Sequence, residues 1–321
     1  MSAPTAAAEP ALAFTGERFV PGIQGEMWLE HWHRYHFAAH LAAGKRVADV
    51  ACGEGYGSAL LSRRAQSVVG IDISAEAVGH ARQAYADVAG LRYEQGSCTA
   101  LPLETASIDL LVSFETLEHI HEHEAFLDEI ARVLAPGGTL LLSCPNKSEY
   151  SDRRNYQNEF HVRELYRDEL AALVTKRFPH VRWFGHRLDF HSVITPESAP
   201  TRGEFFEATL QSPALPTQAM AAPLYFILVA GRTPEPVGAD AAVSVLGDRD
   251  HFLYADYFAV TRAHREEKAR REQLEQEARA REQALAATQA QLAAREAQLS
   301  RLCGVRGWLR RPLVRLGLLR D

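Results

Sequence analysis

Val47–Gly57 reads VADVACGEGYG, an apolar β-branched run that passes straight into Gly53-x-Gly55-x-Gly57. A backbone that turns sharply and lies against a ligand needs glycine there, because a Cβ would stand in the way. One strand and one helix later, Ile71-Asp72-Ile73 sets an acid at the end of a second apolar run, where a carboxylate can accept hydrogen bonds from both hydroxyls of a ribose. Asp49 and Glu54 flank the turn. Negative charge there repels a pyrophosphate and attracts an ammonium. The spacing also departs from the G-x-G-x-x-G dinucleotide fingerprint, and no Gly-Lys-Ser/Thr follows to make a P-loop. The chemistry that fits is an adenosine joined to a chain carrying an ammonium. A plain glycine-rich strand-to-helix turn is the alternative without a ligand.

These residues need a sheet to hold them. Arg46–Cys52, Ser67–Ile73, Leu91–Gly96, Ile108–Phe114, Gly138–Cys144, His180–Arg187 and Leu224–Ala230 read as strands, being aliphatic or β-branched runs bounded by turn residues. Helical patterns fall at 57–65, 74–86, 122–134 and 163–176, the second opened by Ser74. Alternation of this kind predicts an α/β fold with a mostly parallel sheet, whose ligands bind at the carboxyl ends of the strands. The stretch 195–223 is proline-rich and reads as irregular. GEMWLEHWHRYHFAAH, if helical, puts His33, His36 and His40 on one face and Trp28, Trp32, Tyr35 and Ala39 on another.

Composition narrows the function. Of 321 residues, 46% are hydrophobic and 24% charged, enough for a sizeable core. The net charge of −6 argues against a general nucleic-acid binder, which needs basic surface to displace phosphate counterions. The four cysteines, Cys52, Cys98, Cys144 and Cys303, are widely spaced with no CxxC, so neither a disulfide framework nor a zinc ribbon is expected. That suits a reducing, cytoplasmic setting. No apolar run is long enough to span a membrane, and residues 1–13 read as a disordered leader.

DVACGEGYG, GIDIS, YEQGS followed by LPL, IDLLVSFETLEHI and RVLAPGGTLLLSCPN together resemble the class I S-adenosylmethionine-dependent methyltransferases, over residues 14–231. The resemblance implies a Rossmann-like, seven-stranded, mostly parallel sheet flanked by helices, with one antiparallel strand near the edge. It implies S-adenosyl-L-methionine as cofactor, with Asp49, Ala51, Cys52, Gly53, Gly55 and Gly57 around the methionine end and Asp72 and Ile73 at the ribose. An acid usual after the third strand is replaced here, in Gly96-Ser97-Cys98, so Ser97 and Cys98 stand at the adenine. Phe114 and Glu115 border the transfer end. For a hydroxyl acceptor a base is needed, and Glu115, Glu118, His119 and His161 are its candidates. His119-Ile-His121-Glu-His123-Glu looks like a metal cluster, but alternate residues of a helix point apart, so no metal is expected. TGERFVPG and the segment after it sharpen the resemblance toward enzymes of bacterial cell-surface polysaccharide, so the expected acceptor is a sugar of a lipid-linked glycan. A small molecule or quinone-like lipid is the rival acceptor, and a non-catalytic scaffold for glycosyltransferases the rival role.

Residues 232–261 read as a linker and 262–302, free of glycine and proline, as a long helix. Ala278, Leu285, Leu292 and Leu299 fall at heptad spacing, but the facing seam, Leu274, Arg281, Thr288, Arg295 and Leu302, is mostly not apolar, and a coiled coil wants both. Homo-oligomerisation through this helix therefore stands beside a solvated single helix. In 303–321, five arginines stand beside Trp308 and seven aliphatic residues, which suits an anionic membrane surface. Docking onto a partner protein, such as a glycosyltransferase, is the alternative. Pro312 is expected to interrupt any helix there. The protein is thus expected in the cytoplasm, peripheral on the inner membrane.

Overall fold

The computed structural model describes residues 25–188, 206–209, 212–216, 223–234, 244–246 and 252–315, with backbone alone at 206–209, 212–216, 254 and 302–314. The 1–13 leader, the TGERFVPG segment, most of 195–223 and most side chains of the basic tail, that of Cys303 included, lie outside what is described. Two units are present, Met1–Asp250 and His251–Asp321.

In the first unit, β1 (Arg46–Val50), β2 (Ser67–Asp72), β3 (Leu91–Gln95), β4 (Ile108–Phe114), β5 (Leu134–Pro145) and β6 (His180–His186) are followed by a small hairpin, β7 (Phe206–Thr209) and β8 (Ser212–Pro216), and by β9 (Tyr225–Gly231). The seven-stranded sheet runs β3-β2-β1-β4-β5-β9-β6. β9 is antiparallel to both neighbours and one strand in from the edge, as the resemblance implies. The chain reverses its order between β1 and β4, so the carboxyl ends of those two strands open a crevice. The hairpin corrects the irregular reading of its stretch: a two-stranded ribbon consists of edges, where prolines such as Pro213 and Pro216 are tolerated.

Side chains alternate across a strand, so each strand feeds two cores. Val47, Val68, Leu110, Val112, Leu141 and Val229 face α1 (Glu26–Leu41) and α2 (Tyr56–Ser62), where Tyr35, Ala38, Ala39, Leu60 and Leu61 meet them. Ala48, Val50, Val69, Ile71, Leu111, Leu140 and Leu228 face α4 (His123–Val133) and α5 (Arg167–Thr175), against Phe126, Leu127, Ile130, Leu170 and Val174. α3 (Ala75–Ala84) starts where Ser74 Oγ accepts from the Ala77 N–H at 3.2 Å. The expected aromatic stripe of α1 is packing: Trp32 and Tyr35 each stand 5.3 Å from the Tyr56 ring, and Tyr35 5.1 Å from Phe114.

The second unit is α6 (Phe252–Arg315), which begins inside the 232–261 stretch and keeps a helical backbone through Pro312. Proline lacks an N–H, so one ladder bond is missing there while the helix continues. Leu274, Leu285, Leu292 and Leu299 are all exposed on it.

Gly57 sits inside α2, where a Cβ would fall 2.1 Å from the Tyr35 ring. Alanine normally stabilises a helix interior over glycine by about 1 kcal/mol. Gly57→Ala is expected to reverse that sign and lower the urea midpoint; an unchanged or raised midpoint would show that Tyr35 can yield.

Candidate active site

After β1 the backbone enters the left-handed region at alternate residues, Ala51 (φ 63°), Gly53 (φ 56°) and Gly55 (φ 97°). Asp72 clamps this turn to the end of β2: one carboxylate oxygen accepts from the Gly53 N–H and the other from the Ser74 N–H, both at 2.9 Å. Gly55 is required twice over. Its φ suits glycine, and a Cβ would stand 2.8 Å from Ala81 and from the Tyr93 hydroxyl, which donates to the Gly55 carbonyl at 2.7 Å. Gly57 lies beyond the turn, so the structure attributes its lack of a side chain to helix packing. Cys52 turns its side chain to Val78, Ala81 and Tyr93, and burial pushes its thiol up. The Cys52 N–H donates to the Ile71 carbonyl at 3.0 Å.

The rim beyond Asp72 is apolar and open. Ile73 is 73% exposed, an aliphatic side chain next to a carboxylate, which suits a flat heteroaromatic ring beside a ribose. Ser97 pairs its hydroxyl with Thr99 Oγ at 2.9 Å, and Cys98 is half-buried against the larger core.

The two acids of the turn part company. Glu54 points to α3, accepting from Tyr85 O–H and pairing with His80 Nε2, both at 2.9 Å, and accepting from the Tyr56 N–H at 3.2 Å. Asp49 is fully buried, with Ser58 Oγ donating at 2.6 Å and Tyr35 O–H donating to its two oxygens at 3.1 and 3.3 Å. Burial outweighs those donors and raises its pKa to about 7.

Across the crevice, β4 ends in Phe114 and Glu115, the latter also left-handed (φ 49°). Glu115 accepts from Ser143 Oγ at 2.5 Å and lies 3.9 Å from the Arg34 guanidinium. Arg34 is buried on α1, 4.9 Å over the Tyr225 ring and donating to His186 Nδ1 at 3.3 Å. Burial, then Arg34, holds His186 down at about 2, hence neutral. Glu30, one turn before Arg34, accepts from Tyr225 O–H at 3.0 Å, and burial raises it to about 7. Nothing in the sequence pattern marks Glu30 and Arg34 as buried; an i,i+4 acid–base pair ordinarily reads as solvated helix surface.

Leu117–His119 forms a 3-10 turn rather than the opening of α4. The Glu118 carbonyl accepts from the N–H groups of Val162 and Arg163, at 2.8 and 3.0 Å, which docks the His161 loop on this turn. His119 Nδ1 meets the Phe160 carbonyl at 3.0 Å, and His161 Nδ1 meets Glu164 at 2.6 Å, so each nitrogen is the protonated donor. Asn158 Nδ2 donates to His161 Nε2 at 3.0 Å. The two imidazoles meet edge to face, centroids 5.0 Å apart, and Tyr150 stacks on His161 at 5.3 Å. Glu118 is buried, and burial followed by the Glu115 charge drives its pKa well above the carboxylate range. His123 Nε2 binds the Leu117 carbonyl at 2.8 Å as a helix-start histidine, apart from this cluster. The structure thus gathers Glu115, His119 and His161 at the end of β4, with Gly53 and Gly55 after the adjacent β1 and Asp72 at the end of β2 beyond it.

A family model described as a methyltransferase domain matches residues 48–142. A Mycolicibacterium smegmatis protein described as "Probable S-adenosylmethionine-dependent methyltransferase" is 40% identical over 54% of this chain and 68% of its own length. One of the same description from Mycobacterium tuberculosis is 37% identical over 52% of this chain and 61% of its own. About a third or more of each relative therefore lies outside the match. A "Fatty-acid O-methyltransferase" of Mycolicibacterium smegmatis is 35% identical over 33% of this chain and 40% of its own length.

Asp49 titrates near 7 in the fold against an ordinary value of 3.8, so the folded state holds the proton more tightly. Its contribution to stability is complete below about pH 4 and is lost as pH rises through about 7. Urea unfolding of the ligand-free protein at about pH 5 and pH 8 is expected to show falling stability, with a shallower fall in Asp49→Asn. Equal falls in the two proteins would remove Asp49 as the cause.

Proposed function

The chain belongs to the class I S-adenosylmethionine-dependent methyltransferases, and on that premise we propose that it methylates a hydroxyl oxygen of a sugar in a lipid-linked surface glycan. When bound, S-adenosylmethionine supplies a methyl already activated by its sulfonium. The residues fit that cofactor. Asp72 keeps lone pairs beyond its two backbone bonds for a ribose diol, and exposed Ile73 offers a face to adenine. Ser97 stands at the adenine edge, the backbone of Ala51, Cys52 and Gly53 lies where the methionine end would run, and Phe114 and Glu115 border the transfer position.

One observation carries the hydroxyl reading: the cluster of Glu115, Glu118, His119 and His161 at the end of β4. A sugar hydroxyl must lose its proton as the new bond forms, whereas a fatty-acid carboxylate is an anion already. His119, whose Nδ1 proton is fixed on Phe160, carries its lone pair at Nε2 and is the first base; His161 is the second. Tyr156 and Phe160, exposed beside them, offer ring faces to a sugar. A second reading, a lipid acceptor, draws on the likeness to the fatty-acid enzyme; it calls for a narrow apolar wall in place of these imidazoles and carboxylates. In the glycan reading the 303–321 segment holds the enzyme on the cytoplasmic face of the membrane, α6 pairs copies or meets a glycosyltransferase, and methylation of a terminal hydroxyl stops chain growth. Among the described residues no helix is long and apolar enough to cross a membrane.

Purified full-length chain, incubated with methyl-labelled S-adenosylmethionine and a lipid-linked glycan extract of its own source, is expected to label the glycan. Label in free lipid would favour the second reading, and no transfer to any pool would leave the scaffold role. Asp72→Ala is expected to weaken cofactor binding by about 1.5–3 kcal/mol, the range for hydrogen bonds to a charged group, measured by calorimetry; unchanged affinity would overturn the ribose assignment.

A further inference from the structure

We infer that Glu118, His119 and His161 form a binding site for a divalent transition-metal ion. A carboxylate oxygen of Glu118 and one ring nitrogen from each histidine lie within 4.8 Å of one another. Ligand atoms about 2.1 Å from a tetrahedral ion stand roughly 3.4 Å apart, so the three groups need to close by at most about 1.4 Å.

Three further features set this group apart from an ordinary polar surface. First, the Glu118 side chain is 1% exposed, and neither of its oxygens has a hydrogen-bond donor among the described residues. A buried acceptor without a donor is costly, and a cation is the partner that removes the cost. Second, both imidazoles are held in the tautomer a metal requires. His119 Nδ1–H is held by the Phe160 carbonyl and His161 Nδ1–H by Glu164, which leaves the lone pair of each ring on Nε2, with His119 Nε2 3.9 Å from Glu118. A histidine whose second nitrogen donates to a carboxylate or carbonyl is the usual support of a metal ligand. Third, the two bonds from Val162 and Arg163 to the Glu118 carbonyl fix the loop to the turn, so the three ligands sit on backbone already joined. Asn158, now donating to His161 Nε2, must swing away when an ion binds.

Two imidazoles and one carboxylate suit zinc, cobalt or manganese better than magnesium or calcium, which prefer all-oxygen shells. Three protein ligands also leave a position open for an oxygen from solvent or acceptor. Binding of the ion is independent of the function proposed above; its use on an acceptor hydroxyl rests on that reading, with the cluster acting as ligands in place of a bare base.

Cobalt(II) added to untagged, metal-stripped, full-length protein is the test, because its visible absorption reports nitrogen ligation without cofactor or acceptor. Bands that saturate at one ion per chain and are bleached by zinc are expected. Glu118→Gln and His161→Gln should each weaken cobalt binding at least tenfold, and Glu164→Gln by about 10–100-fold, with thermal melts of the ion-free proteins compared alongside. Should Glu118→Gln not fold, His161→Gln, on a loop outside the sheet and helices, decides alone. No bands, or bands of equal affinity in His161→Gln, would overturn the site while leaving methyl transfer untouched. Bands without any methyl transfer would overturn the proposed function and leave the site standing.

Discussion

Asp49 is a carboxylate sealed from solvent near the end of β1, and three elements meet on it. Tyr35 reaches it from α1, Ser58 from α2, and its own backbone belongs to β1. Hydrogen bonds to a charged acceptor are strong, about 1.5–3 kcal/mol each, yet burial still prevails, as the pKa near 7 records. The glycine turn follows two residues later, so the direction in which the chain leaves β1 is set by this knot. Tyr35 also packs its ring on the bare Cα of Gly57, in the space a Cβ would fill.

α1 does for the other half of the crevice what it does for Asp49. One turn of it carries Glu30 and Arg34 beneath Tyr225, His186 and Glu115, which joins β9, β6 and the end of β4. Placing a guanidinium in the interior is expensive unless charge and hydrogen bonds surround it. Here two carboxylates, a neutral imidazole and an aromatic face do so. Both halves of the crevice are thus braced by one helix that covers the same face of the sheet.

The end of β4 depends on a shorter-range device. A 3-10 turn stops Leu117–His119 from joining α4, which frees the Glu118 carbonyl to take two N–H groups of the His161 loop. The same turn buries the Glu118 carboxylate against the two imidazoles. Glu115 and Ala51 both adopt left-handed backbone without being glycine, a strain of about 1–3 kcal/mol each that a rigid surround must hold. Both sit where strand ends open into the crevice.

Local demands were legible in the amino-acid order. Aliphatic and β-branched runs bounded by turn residues located the seven strands of the sheet, because strands buried on both faces are apolar almost throughout. Glycine spacing and Asp72 located the turn, because only backbone near φ +60° with an acid one strand over makes that shape. What the order left open was every choice made by distant neighbours. Gly57 looks like part of the turn until Tyr35 is packed on it. Glu54 looks ready for a ligand until α3 supplies His80 and Tyr85. Glu30 and Arg34 look solvated until β9 covers them. His161 is far from Glu118 along the chain, and it took the loop's hydrogen bonds to set them side by side. Type and spacing specify what a residue is able to do, but burial and orientation, which come from long-range packing, decide which of those abilities is used.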